Sequence, residues 1–168
     1  MEANPFIPLV SDYGFKVTFG NAADTLFLRV ALQALIDSPV PIREITFDNT
    51  AFEALTRDSR AGIYDVACTD ETGNQFIVEM QLAHAPDFLQ RMKFYALHRF
   101  NTMVERGNFT YHKLPRLYCI AFLDKSTLPG PAYRTVANFR NEQGELLDDQ
   151  MTFVLIELAK FDVPAAAI

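Results

Sequence analysis

At 168 residues, 49% apolar and 21% charged, the chain has the length of one domain and enough apolar content to bury a core, which excludes a disordered segment. No apolar run approaches a membrane span, and Met1-Glu2-Ala3-Asn4-Pro5 lacks the basic and apolar parts of a signal peptide, so a cytoplasmic protein without membrane contact is expected. The net charge of −6 alone speaks against a nucleic-acid partner, yet residues 87–116 gather six basic side chains against two acidic ones, so charge decides nothing.

In chain order, residues 11–20 form an aromatic-rich lead-in. Asn21 to Asp24 offer N-cap candidates for a helix to about Ile36, with Leu28, Ala31, Leu32 and Leu35 at helical spacing and Ser38-Pro39-Val40-Pro41 as its stop. Residues 42–48 alternate as a strand around Ile45 and Phe47, and a polar connection follows at residues 56–60. Residues 62–69 read as a second strand and 75–82 as a third, joined into a hairpin by the turn signal Asp70-Glu71-Thr72-Gly73-Asn74.

Residues 87–106 form the clearest helix. Leu89, Met92, Ala96, Phe100 and Met103 keep the apolar period, Asp87 with Gln90 resembles a capping box, and Gly107 is the C′ stop. Residues 114–124 are apolar enough for a central strand, residues 135–141 and 146 onward flank a Gln143-Gly144 turn, and residues 151–158 end the fold as a last strand. Cys68 and Cys119 sit in apolar runs outside any CxxC or Cys/His cluster and read as buried small hydrophobes. The order α-β-β-β-α-β plus C-terminal strands predicts a single α/β domain over residues 1–168, with a central mixed sheet flanked by helices.

Two acidic residues stand out against this background. Side chains alternate across a strand, so Phe76, Val78 and Met80 share one face while Ile77, Glu79 and Gln81 share the other. Asp65 lies in Ile63-Tyr64-Asp65-Val66-Ala67, and the hairpin brings it near the Glu79 end of the partner strand. Two carboxylates and an amide oxygen at one place form the kind of oxygen cluster that holds Mg²⁺ or Mn²⁺. Without a cation, the paired carboxylates repel and one keeps its proton.

The pattern Tyr64-Asp65 … Val78-Glu79-Met80-Gln81 resembles the PD-(D/E)XK nuclease signature in its Asp … Glu-x-Gln form. With residues 12–20, Arg91-Met92-Lys93-Phe94-Tyr95 and Ile156-Glu157-Leu158-Ala159-Lys160-Phe161, it looks like successive blocks of the recombination-promoting nuclease and transposase family, whose members are usually longer than this chain. The resemblance implies a restriction-endonuclease-like core and metal-dependent cutting of DNA, with Asp65, Glu79 and the Met80 carbonyl as metal ligands and Mg²⁺ (or Mn²⁺) as cofactor. It also implies a possible homodimer, an arrangement common among double-strand cutters.

Gln81 stands where the superfamily often has Lys. An amide can orient water but neither takes a proton nor offers a positive charge. Lys16, Arg91 and Lys93 are the candidate replacements for that charge. Asp12 and Lys16 are also four residues apart and pair on one helical turn. Arg91, Tyr95 and His98 share a helix face, read either as a contact for a substrate phosphate or as a solvated surface. Two alternatives stay open: a degenerate copy that binds nucleic acid or a partner without cutting, and an α/β scaffold whose acids are paired structurally.

Overall fold

The computed structural model describes residues 8–38, 40–52, 61–104 and 110–161. Helices α1 (Asp12–Phe19) and α2 (Leu26–Ile36) precede strands β1 (Ile45–Phe47), β2 (Ala51–Phe52), β3 (Gly62–Ile63), β4 (Val66–Asp70) and β5 (Gln75–Gln81). Helix α3 (Phe88–Thr102) then leads to β6 (Leu117–Leu123), β7 (Arg134–Arg140) and β8 (Leu146–Glu157). Six strands make one sheet in the order β1-β4-β5-β6-β8-β7, and β2 pairs with β3 apart from it. β6 runs parallel to both β5 and β8, while the outer pairs are antiparallel, so the sheet is mixed as expected.

Two apolar layers cover the sheet. Phe15 and Phe19 of α1 and Leu28 and Leu32 of α2 pack on Val66, Cys68, Phe76, Val78 and Ile120. On the other face, Phe88, Met92 and Ala96 of α3 pack on Ala67, Ile77, Cys119 and Ala121. Strand β6 is buried nearly throughout because both of its faces are covered, which explains its uninterrupted apolar sequence. Both cysteines are buried and free, with burial raising their thiol pKa values. Among the described residues no helix is long and apolar enough to cross a membrane.

Several elements differ from the sequence expectation for local reasons. The lead-in is helix α1, too short to show a period but capped by Ser11, whose Oγ accepts the Gly14 N–H at 3.0 Å. A Cβ at Gly14 would lie 2.2 Å from the Pro8 carbonyl oxygen, so this close approach needs glycine. For α2 the cap position is Thr25, without a side-chain bond; Asn21 accepts from Ala23 and Asp24 in the preceding turn instead. The β1 strand is shorter than residues 42–48, whereas β7 and β8 flank the Gln143-Gly144 turn as expected, β8 running unbroken from Leu146 to Glu157.

The expected strand over residues 62–69 breaks at Tyr64-Asp65. Tyr64 donates its N–H to the Thr50 carbonyl, and its ring stacks on Phe52, so this stretch leaves the main sheet. Helix α3 begins at Phe88, and Asp87 makes no side-chain cap bond, so the expected capping box does not form. The polar connection at residues 56–60 and the Gly107 stop lie outside the described residues.

Gly144, in the expected turn before β8, has φ +80 and open space around its missing Cβ. Gly144→Ala is therefore expected to cost about 1 kcal/mol through backbone strain alone, read as a shift of the urea midpoint at unchanged slope.

Candidate active site

At the end of the β4–β5 hairpin, side chains take over from the ladder. The last β4–β5 pair is Val66 with Val78, and one step beyond it the chain bends at Asp65. There the Asp65 N–H donates to Glu79 Oε1 at 3.1 Å, and the Met80 N–H donates to Asp65 Oδ2 at 2.9 Å. Each acid thus caps the backbone beside the other, which fixes both carboxylates at one spot. The expected meeting of Asp65 and Glu79 is what the geometry shows.

The Met80 carbonyl faces the same edge. Gln75 donates its N–H to Arg116, and the Gln81 carbonyl accepts from Asp124, so odd-numbered residues of β5 bond toward β6. Even-numbered residues bond toward β4, and Met80 lies past the end of that strand. Among the described residues no group of three or more His, Cys, Asp or Glu side chains gathers to hold a metal. A cation here would therefore rest on two carboxylates, the Met80 carbonyl and water, an all-oxygen donor set suited to Mg²⁺ or Mn²⁺.

Electrostatics set the two acids apart. Glu79 is only 5% exposed, with Ala121 as its β6 partner. Burial, reinforced by the nearby Asp65 charge, pushes its carboxyl up to about 8, against the pull of the Asp65 N–H, Arg91 and Lys16. Asp65 keeps more contact with solvent, and Lys16 Nζ approaches its Oδ1 at 3.6 Å from α1. Lys16 also pairs with Asp12 at 2.7 Å, the bond that chiefly raises its pKa, with the Asp65 charge adding to it and burial opposing. Lys16 is therefore held as a cation, not as a base. Phe15, buried beside it and packed near Phe122, anchors the helix that carries it.

The α3 residues divide. Gln81 donates through Nε2 to the Ala83 carbonyl at 2.8 Å, and its Oε1 accepts from the Arg91 guanidinium at 2.5 Å. Arg91 lies over the Phe88 ring, 5.3 Å from its centroid. Lys93, two positions on, points away: it lines an apolar groove with Leu89, Met92, Phe139 and Phe153, since residues two apart on a helix face nearly opposite ways. Tyr95 packs edge-on against Phe52 and Tyr64, and His98 is 7% exposed against Phe52. The Arg91–Tyr95–His98 face is thus not the solvated surface that was one of its two readings: Tyr95 is half-buried and His98 buried against Phe52. Phe52 covers this helix face, a contact that no pattern in the sequence signals.

Arg99 pairs with Asp48 and Arg116 with Asp149, which removes two charges from the basic stretch. A cavity of about 470 Å³ lies at the opposite end of β5 and β6; its Asp70 and Glu71 carboxylates already accept backbone N–H groups. We place no chemistry there. Glu157, fully buried in the expected C-terminal block, accepts from Lys160, Thr127 and Leu128; burial opposes its ionisation, but these bonds hold it below the usual carboxylate range. It ties the loop after β6 to the end of β8.

A family model described as PD-(D/E)XK nuclease family transposase matches residues 9–166, nearly the whole chain. Neither a curated protein nor a solved structure matches it.

Proposed function

The chain belongs to the PD-(D/E)XK nuclease family transposases, and from that premise we propose that it is a divalent-metal-dependent DNA endonuclease acting in recombination or transposition. The observation that carries this reading is the reciprocal capping of Asp65 and Glu79 at the strand ends. It holds two carboxylates together at a strain in charge that a cation relieves. Nucleases of this class generally use divalent metals, and the mixed sheet with helices on both faces agrees with a restriction-endonuclease-like core. In this reading one nuclease-like domain occupies residues 1–168.

Asp65, Glu79 and the Met80 carbonyl hold Mg²⁺ or Mn²⁺ in the proposed site. The bound cation would acidify the attacking water and draw charge from the scissile phosphate. The protein groups do the positioning. Glu79, buried and fixed by the Asp65 N–H, would present its carboxylate to the cation from β5. Lys16 offers a fixed positive charge from the α1 side, where it meets the phosphate that approaches Asp65. Asp12 steadies that ammonium across one helical turn.

Nicking of a supercoiled plasmid tests the proposal directly. Nicked circles are expected with Mg²⁺ or Mn²⁺, none in EDTA, and linear DNA only later, because one such site cuts one strand per event. A homodimer would shorten the delay between the two products. Salt-sensitive DNA binding without nicking under any of these metals would favour a non-cutting copy instead.

A further inference from the structure

We propose that Gln81 is a positioning residue that holds the Arg91 guanidinium where the motif lysine would otherwise stand, so that Arg91 is the catalytic cation on the α3 side of the site. The inference rests on the nuclease reading above and deepens it by naming the group that contacts the phosphate.

The amide has two ends, and both are used. Its Nε2 donates to the Ala83 carbonyl, which leaves Oε1 as the end turned to Arg91. A lysine at this position would present an ammonium to the guanidinium and repel it; an amide oxygen accepts from it. Gln81 shares a face of β5 with Glu79, so an arginine bonded to Gln81 stands on the same side of the sheet as the buried carboxylate. From the other side the Phe88 ring supports the guanidinium, limiting where the long side chain can go.

The bond to Gln81 occupies one N–H of a group that carries five, in a planar fork suited to paired phosphate oxygens. The superfamily's lysine is thereby replaced by two residues: one on the strand that has no charge, and one on the helix that supplies it. The departure at Gln81 is then a relocation of charge and not a loss of it.

A double-mutant cycle separates this from a merely structural contact. In the parent, Arg91→Met is expected to slow plasmid nicking by roughly 10²-fold. In a Gln81→Lys background, which restores a cation on the strand, nicking is retained and the same Arg91→Met change is expected to cost less than about threefold. Equal losses in both backgrounds, or no loss in either, would overturn the proposal. Should Arg91→Met fail to fold, Arg91→Gln carries the same cycle.

Duplex DNA binding in EDTA gives a second readout that needs no metal and no cutting. Arg91→Met should lower the slope of log affinity against log salt by about one, and Gln81→Lys should restore it in the double variant. An unchanged slope counts against Arg91 as a phosphate contact even where nicking falls. If the parent nicks under no metal, the nuclease reading fails, and the binding arm still decides whether Arg91 meets phosphate.

Discussion

Asp65→Asn is expected to reduce plasmid nicking on the order of 10³-fold while leaving the metal-free protein at least as stable as the parent. The substitution keeps an oxygen for the Met80 N–H, so the strand end stays closed. It removes the charge that, after burial, contributes most to raising the Glu79 carboxyl. Lys16 loses one acidic neighbour but retains its 2.7 Å pair with Asp12. A structural acid would behave oppositely, since breaking a useful ion pair lowers stability. The distinguishing measurement is melting with and without Mg²⁺. A cation at a hundred times its dissociation constant stabilises the parent by about 2.7 kcal/mol, and the variant should show little of that gain. Equal Mg²⁺ stabilisation in both proteins would mean that Asp65 is not a ligand.

The sequence made the face of β5 legible because a period of two is unforgiving. Glu79 between Val78 and Met80 had to sit opposite them, and the Asp70–Asn74 turn fixed which β4 residue came alongside. The restriction-endonuclease-like order of elements was legible for the same reason, through long apolar periods in α2, α3 and β6. Short elements were not. Helix α1 depends on a cap and on two buried phenylalanines that meet Phe122, over a hundred residues away. Which cation reaches the site was equally hidden: Arg91, Lys93 and Lys16 were equivalent as letters. Only the angle at which α3 returns over β5 turns Arg91 inward and Lys93 toward an apolar groove. The packing of Tyr95 was hidden because residues 51 and 52 pair with residues 62 and 63 in a small sheet of their own, whose Phe52 packs on that helix face.

Glu79→Gln should abolish nicking and, in the same protein, flatten the dependence of stability on pH. The Glu79 carboxyl has its ordinary value of 4.5 raised to about 8 in the fold, so the folded chain binds a proton more tightly than the unfolded chain does. In EDTA the stability from that proton is fully present below about pH 4.5 and is lost as pH rises through 8, at a slope of at most about 1.4 kcal/mol per unit. The groups that face this carboxyl are Asp65 at the bend, Lys16 from α1, Arg91 from α3 and Cys119 on β6. The two cations lessen the loss but do not reverse it. A glutamine at this position still accepts the Asp65 N–H and carries no charge to desolvate, so above neutrality the variant should be the more stable of the two without metal. Mg²⁺ should reverse that ranking, because only the parent adds a second carboxylate to that of Asp65. Urea unfolding at pH 5, 6.5 and 8 in EDTA reads the slope, and parallel curves for parent and variant would show that Glu79 carries no proton into the fold.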